Sequence, residues 1–206
     1  DVKKFLEKEL ERAGVSEISI QKTPIATRIS ILVRRPGIVV GKKGKAIKEL
    51  CDELQQRFGI ENPQIEVVEV MRPELDAKLM AEKIGKQIEM NPSVKPIIRS
   101  TLREIMESGA IGAEIRVAGK IIGKGAKAKA LTMRSGYLKK SGEAMKLVKE
   151  GRYVVYLNAG AIGIQVRIVP PDTKFSDKIR IEDIVFESEQ PQPQEAEVEK
   201  AAEKKN

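Results

Sequence analysis

In the first third of the chain, apolar residues follow helical spacing in some segments and strand-like alternation in others. From Val2 to Ala13 they recur every three or four residues, which predicts a helix that Gly14 ends. Alternation around Ile18 predicts the first strand. The predicted elements are a helix at residues 2–13, strands at 18–20 and 28–33, a short apolar turn at 38–40, a helix at 47–58 and a strand at 65–70.

The second part of the chain begins with helices and continues with strands. Pro73 predicts a helix start and therefore a domain boundary at residues 71–74. Residues 131–149 remain open between strand and helix, because their apolar spacing fits both. The predicted elements are a helix at about 74–89, a second helix that follows Ser93 and ends at Gly109, and strands at 114–117, 153–157 and 164–168. These patterns predict an α+β fold: a three-stranded N-terminal domain, then a domain with two helices and a mainly antiparallel sheet.

Four segments follow from this pattern. Residues 1–72 are predicted to form the N-terminal domain and residues 73–170 the C-terminal domain. Residues 171–187 are interpreted as an irregular arm. Residues 188–206 are polar and nearly free of large apolar side chains, which predicts a disordered tail.

The composition limits the classes of function that this chain can have. The net charge is +8 and the pI about 9.5, which favours a polyanionic partner such as nucleic acid. There is no histidine, and Cys51 is the only cysteine, so imidazole or thiolate metal sites and Ser-His or Cys-His catalysis are excluded. No apolar run approaches 18 residues, so we expect no transmembrane helix and no membrane partner. Carboxylate sites for magnesium stay open by composition, but we expect no metal, no cofactor and no catalytic residue.

One glycine-bounded turn points to an anionic ligand. It lies in the segment VVGKKGKAI, residues 39–47, between two predicted strands and the second helix. Glycines let backbone N–H groups approach a phosphate, and the N-terminus of the following helix adds positive dipole. The alternative is an ordinary turn with solvated lysines. The candidate binding residues are Gly41, Lys42, Lys43, Gly44, Lys45 and Lys48.

This segment resembles the KH-domain signature, in which two aliphatic residues precede G-x-x-G and a third follows. Other glycine pairs, such as Gly109 with Gly112, have no aliphatic pair before them and no helical stripe after them. Two strands before the loop and one after it resemble the type II KH arrangement. The resemblance implies that the loop holds a short run of single-stranded nucleic-acid backbone.

Two further groups of cations are candidates for RNA binding. Lys95, Arg99 and Arg103 are four residues apart and share one helix face; the alternative is an ordinary solvated surface. Residues 120–140 contain seven basic residues and no acid, interleaved with glycine and alanine. Such a segment can follow a phosphate backbone, or it can be a flexible loop. Its cations are Lys120, Lys124, Lys127, Lys129, Arg134, Lys139 and Lys140.

Taken together, residues 1 to about 187 closely resemble the family of small-subunit ribosomal protein three, in its archaeal or eukaryotic-like form. The resemblance is carried by RPGIVVGKKGKAIKEL at 35–50, by residues 97–121 and 123–142, and by YLNAGAIGIQVRIVPP at 156–171. It implies a two-domain structural protein of the subunit head in the cytoplasmic ribosome. The implied partners are ribosomal RNA, messenger RNA at its entry channel and neighbouring head proteins, without homo-oligomers.

The resemblance also bears on single residues. Lys95 and Arg99 match basic positions of the helix that faces incoming messenger in this family. Pro96 stands where the bacterial pattern has another basic residue, and Arg103 rests on spacing alone. Whether the glycine loop binds ribosomal RNA or messenger RNA stays open.

Two rival functions remain at this point. One is a free KH-domain regulator of messenger RNA, although three tyrosines and four phenylalanines offer little surface for base stacking. The other is a nuclease, or a lyase that uses a lysine Schiff base, as a side activity. No acidic metal cluster is evident for a nuclease, whereas lysines for a lyase are abundant.

Overall fold

The computed structural model describes residues 1–23, 25–91, 93–121, 127–158, 160–173 and 175. The helices are α1 (Val2–Glu9), α2 (Pro36–Val40), α3 (Lys45–Phe58), α4 (Ala77–Met90) and α5 (Val94–Glu107). The strands are β1 (Val15–Lys22), β2 (Thr27–Val33), β3 (Pro63–Glu69), β4 (Gly112–Gly119), β5 (Lys129–Gly136), β6 (Lys149–Leu157) and β7 (Gly160–Val169). Short 3-10 turns lie at Glu11–Ala13, Lys42–Gly44, Pro73–Leu75 and Glu143–Leu147.

The N-terminal half is a three-stranded sheet of order β1-β2-β3. β1 pairs with β2 antiparallel, and β2 pairs with β3 in parallel. Parallel neighbours need a crossover connection, and α2, the glycine loop and α3 supply it. Ile29, Ile31 and Val33 alternate along β2 with their side chains fully buried in the core. Their partners in that core include Leu6, Leu10, Ile18, Val39, Leu50 and Leu54.

The C-terminal half is a four-stranded antiparallel sheet of order β5-β4-β7-β6, with α4 and α5 against it. Ala113, Ile115 and Val117 of β4 point into the core, as do alternate residues of β7 from Ile162 to Ile168. The α+β architecture predicted from the sequence is therefore confirmed for both halves.

Several predicted elements differ in their bounds, and three of these differences have a clear local cause. The expected turn at residues 38–40 is the end of a short helix, because Pro36 opens α2 and the N–H of Gly41 donates to the Gly37 carbonyl at 3.0 Å. α4 begins at Ala77 rather than near Glu74, because residues 73–75 form a 3-10 turn. The ambiguous stretch 131–149 contains most of β5, a 3-10 turn and the first residue of β6.

The two halves have separate hydrophobic cores. The first core includes residues up to Val67, and the second begins at Leu75. Residues 1–171 nevertheless form one compact unit. Polar contacts join the halves: Ser16 donates to Asp76, Lys78 pairs with Glu7 at 2.6 Å, and Tyr153 donates to Glu11 at 3.2 Å.

The predicted tail 188–206 and most of the predicted arm 171–187 lie outside the described residues. Within the described ranges, no helix is both long and apolar enough to cross a membrane. Also among these residues, no group of three or more Cys, Asp or Glu side chains is arranged to hold a metal ion.

Asp76 both caps α4 and joins the two halves. Its Oδ1 accepts hydrogen bonds from the N–H groups of Lys78 at 2.8 Å and Leu79 at 3.3 Å. We expect Asp76→Ala to lower the free energy of unfolding by about 1–2 kcal/mol, because it leaves these donors uncapped. Denaturant unfolding monitored by circular dichroism measures the change. Asp76→Asn is the matched control, since it keeps a cap oxygen; an equal loss in both variants would assign the effect to charge.

Candidate nucleic-acid interface

The loop between α2 and α3 has a backbone that only glycine adopts easily at its two ends. Gly41 has φ +67° and ψ −174°, and Gly44 has φ +74°. A Cβ on Gly41 would lie 2.7 Å from the Cβ of Ala46, so the end of α2 approaches α3 too closely for a side chain. Lys43, at the tip, has φ 56° and ψ 29°, a left-handed conformation that is uncommon for lysine. The loop is therefore a tight turn with a fixed shape.

Four cations surround this turn. Lys42, Lys43, Lys45 and Lys48 are exposed, and none of them forms an ion pair with another described residue. In the described part of the chain no side chain caps α3, whose preceding residue is Gly44. The first N–H groups of this helix are thus open to an external acceptor, and the helix dipole favours an anion there.

Two exposed apolar residues, Ile38 and Val40 of α2, lie beside the loop, with exposures of 45% and 37%. Val68 on the edge strand β3 is also exposed, but it lies on the other face of the sheet, because its neighbour Val67 pairs with the core-facing Ile31 of β2.

The structure places the predicted helix row on α5. Lys95, Arg99 and Arg103 are all exposed, opposite the buried side chains of Val94, Ile98, Thr101 and Ile105. None of the three cations pairs with an acid among the residues that the structure describes. Pro96 falls in the first turn of α5, where its missing N–H does no harm.

The basic segment 120–140 is less uniform than its composition suggests. Lys124 lies outside the described residues, whereas Lys120, Lys127, Lys129 and Arg134 are exposed. Because Lys129–Gly136 pairs with β4, side chains alternate between the two faces of the sheet. Lys129 is on the core side with Leu131 and Met133, and Arg134 is on the opposite face. Strand pairing therefore places the described cations of β5 on two faces of the sheet.

Lys139 and Lys140 end this segment close to the sheet. Lys139 is half-buried, and Lys140 pairs with Glu114, whose side chain is only 6% exposed. Lys140 thus neutralises a buried carboxylate of β4. Glu114 alternates with the apolar residues Ala113 and Ile115 in the sequence, and this pattern does not indicate that its side chain is buried.

Glu114 belongs to a row of charges across the outer face of the sheet. Register aligns Arg134, Glu114, Arg167 and Glu150 on neighbouring strands. Arg167 lies 3.7 Å from Glu114 and 3.4 Å from Glu150. A hydrogen bond from Gln165, together with Arg152 and Arg167, lowers the pKa of Glu150 and outweighs its partial burial. Arg167 pairs with both glutamates of this row across the outer face of the sheet, and Lys140 joins them through its ion pair with Glu114.

Comparison with known proteins connects both halves to one family. The KH domain model matches residues 1–75, and the model described as "Ribosomal protein S3, C-terminal domain" matches residues 84–168.

Three archaeal relatives, each named small ribosomal subunit protein uS3, align along most of the chain. The protein of Methanobrevibacter smithii is 41% identical over 181 residues, 87% of this chain and 72% of the relative. That of Methanothermobacter thermautotrophicus is 41% identical over 178 residues, 86% and 68% of the two chains. That of Methanoculleus marisnigri is 39% identical over 196 residues, 95% and 80%. With both domain models in order along the sequence, this chain belongs to the uS3 family of small ribosomal subunit proteins.

Proposed function

We propose that this protein is a structural constituent of the head of the small subunit in the cytoplasmic ribosome, where it binds ribosomal RNA and lines the entry channel for messenger RNA. Relatives with 39–41% identity carry the name of a ribosomal protein, which supports a structural role over a free regulator or a nuclease or lyase. The observation that carries the channel assignment is the row of three exposed cations on α5, which form no ion pair with any residue of the described ranges.

The spacing and exposure of these cations are compatible with a messenger RNA strand that moves past them. Successive cations are four residues apart, so they rise by about 6 Å along the helix axis. That spacing is comparable to the distance between successive phosphates of an extended single strand. Long, exposed side chains without fixed acid partners adapt to passing phosphates and bind none of them permanently. Any separation of messenger strands is then mechanical: the cations hold the strand backbones, and translocation supplies the work.

The glycine loop suits a stationary contact. Its backbone shape is fixed by Gly41 and Gly44, and the open N–H groups of α3 together with Lys42 and Lys43 provide donors and positive charge for a phosphate. The neighbouring exposed side chains of Ile38 and Val40 give bases a surface that carries no charge. We assign this loop to single-stranded RNA backbone, with sequence-tolerant contacts to the bases.

A double variant of α5 tests the channel assignment. In ribosomes that carry Lys95→Ala with Arg99→Ala, we expect elongation to slow on messenger with a stable hairpin and to stay near normal on unstructured messenger. The reason is that only the structured messenger requires both strands to be held. Single-ribosome or toeprint kinetics on paired templates measures the difference.

Lys3→Ala with Lys4→Ala on α1 is the matched control, since it removes two exposed charges from another element. Small-subunit assembly is followed in the same strains by sedimentation. A defect in assembly with equal elongation on both templates would make Lys95 and Arg99 assembly contacts, and the channel assignment would be wrong.

A further inference from the structure

A cleft with a volume of about 250 Å³ lies where the two halves of the protein meet. Its walls are the 3-10 turn Glu11–Ala13, the residues that follow β2, and one face of α4. The cations that line it are Arg12, Arg34, Arg35, Lys83 and Lys86, and we call it the basic cleft. It is separate from the glycine loop, from the α5 row and from segment 120–140.

The backbone brings the three arginines to one place. Gly14, with φ +71°, turns the chain from the 3-10 turn into β1. The N–H groups of Arg34 and Arg35 then donate to the carbonyls of Gly14 and Ala13 at 2.9 and 3.2 Å. Residues 12–14 and 34–35 therefore run side by side, although about twenty residues separate them in the sequence.

α4 supplies the opposite wall. The lining residues Leu79, Glu82, Lys83, Lys86, Gln87 and Met90 recur at helical spacing, so they share one face of α4. The other face, with Met80, Ala81, Ile84 and Ile88, is buried against the C-terminal sheet. Because the sheet fixes α4 and the backbone bonds fix residues 34 and 35, the cleft does not depend on mobile loops.

The charges in the cleft are not balanced internally. Lys83 pairs with Glu104 and Lys86 pairs with Glu82, which is the one carboxylate among the described lining residues. Arg12, Arg34 and Arg35 are exposed and form no ion pair with any other described residue. Three arginines thus line one concavity, and within the described residues none of them is paired with an acid.

From this arrangement we propose that the basic cleft binds the phosphodiester backbone of RNA, as an anchor distinct from the glycine loop. A guanidinium presents a planar fork of donors that matches a phosphate, and it stays charged at all relevant pH values. This inference rests on the proposed function, because it assumes that the chain works within an RNA particle.

The lining favours RNA backbone over an acidic protein. Among the described lining residues there is no aromatic side chain, Leu79 is buried, and Met90 is the one exposed large apolar residue. A protein interface has an apolar, often aromatic centre, which this cleft does not offer. Without stacking surfaces the contacts are to phosphate and ribose, so binding is independent of base sequence.

The cleft and the glycine loop lie at opposite ends of α2. Arg35 immediately precedes this five-residue helix, and Gly41 immediately follows it. The helix is about 7.5 Å long, so the two groups of cations are held apart by a short rigid spacer. The cations of the cleft can therefore be substituted without changing the structure of the glycine loop, and the loop lysines without changing the cleft.

The test measures affinity of the full chain for a fluorescein-labelled uridine homopolymer by anisotropy, across a series of salt concentrations. We expect Arg12→Gln, Arg34→Gln and Arg35→Gln together to reduce the slope of log affinity against log salt by roughly two, about 0.7 for each phosphate that the variant no longer neutralises. Lys3→Gln, Lys4→Gln and Lys8→Gln on α1 remove the same charge from exposed positions and should leave the slope near that of the wild type.

A second variant removes no arginine. Gln87→Glu with Met90→Glu places two negative charges in the cleft, and we expect it to weaken binding as well. Circular dichroism confirms that each variant is folded. If both cleft variants bind like the α1 control while Lys42→Asp with Lys43→Asp loses affinity, the cleft inference is overturned and the proposed RNA-binding function stands.

If the variant with Lys42→Asp and Lys43→Asp also binds RNA like the wild type, the proposed RNA-binding role of the glycine loop is wrong.

A competition experiment tests whether the cleft binds an acidic protein instead. A polyglutamate peptide that binds the wild type but not the triple arginine variant, with RNA affinity equal in both, would overturn the inference in favour of an acidic protein partner.

Discussion

Replacing Lys42 and Lys43 together by aspartate is expected to weaken binding of single-stranded RNA at least roughly 25-fold at about 0.1 M salt, the contribution of two neutralised phosphates. The added negative charges should increase this effect by repelling the backbone that approaches the N-terminus of α3. The melting temperature should stay unchanged, because both side chains are exposed and unpaired within the described structure. Anisotropy titrations and thermal melts on the same preparations measure both quantities.

Lys3→Asp with Lys4→Asp is the matched control for charge, since both residues are exposed and lie on α1. It changes the net charge by the same amount, so a general loss of attraction would appear in it equally. The loop variant should differ from this control in its salt dependence as well as in its affinity. Equal affinity of wild type and loop variant at matched salt would exclude the loop from the RNA site.

Gly151→Ala is expected to lower the free energy of unfolding by about 3 kcal/mol, at the upper end for an added methyl group in a packed core. Gly151 is buried in β6 against the first turn of α4, and a Cβ there would overlap the carbonyl group of Ala77 and the amide nitrogen of Lys78. Backbone atoms cannot turn aside as a side chain does, so β6 or α4 must shift. Thermal unfolding should show a drop of about 6–12 °C.

Gly163→Ala is the matched control, because it makes the same change in the adjacent strand β7. A Cβ at Gly163 would have one neighbour within ordinary contact, the carbonyl oxygen of Ala118 at 3.9 Å. Its stability should stay the same or rise by about 0.5 kcal/mol, since alanine restricts the unfolded chain more than glycine does. Comparable destabilisation in both variants would mean that α4 does not pack on β6 as closely as the structure indicates.

The sequence predicted those features that arise from neighbouring residues. The glycine loop is a local motif, so Gly41, Gly44 and the lysines around them could be identified from spacing and from the helix that follows. The row on α5 is equally local, because residues four apart on a helix always share a face. The two-part α+β architecture followed from apolar periodicity, which the buried sides of β2, β4 and β7 reproduce.

What depends on contacts between distant residues could not be predicted. The basic cleft combines Arg12, Arg34 and Lys83, which lie on three elements and meet only through tertiary packing. Lys140, in a loop, pairs with Glu114 on strand β4. From the sequence, Lys140 could not be distinguished from the other basic residues of segment 120–140. In the stretch 131–149, β5 is recognisable as a strand only once β4 is there to pair with it.

The order of the two hydrophobic cores along the chain has a consequence for biosynthesis. Residues of the first core all precede those of the second, and a chain leaves the ribosome from its N-terminus. The first core can therefore close once β3 has emerged to join β2, while α4 is still inside the exit tunnel. Ser16, Glu7 and Glu11 then lie on a folded surface before Asp76, Lys78 and Tyr153 have emerged. The glycine loop therefore forms before the half that completes the basic cleft.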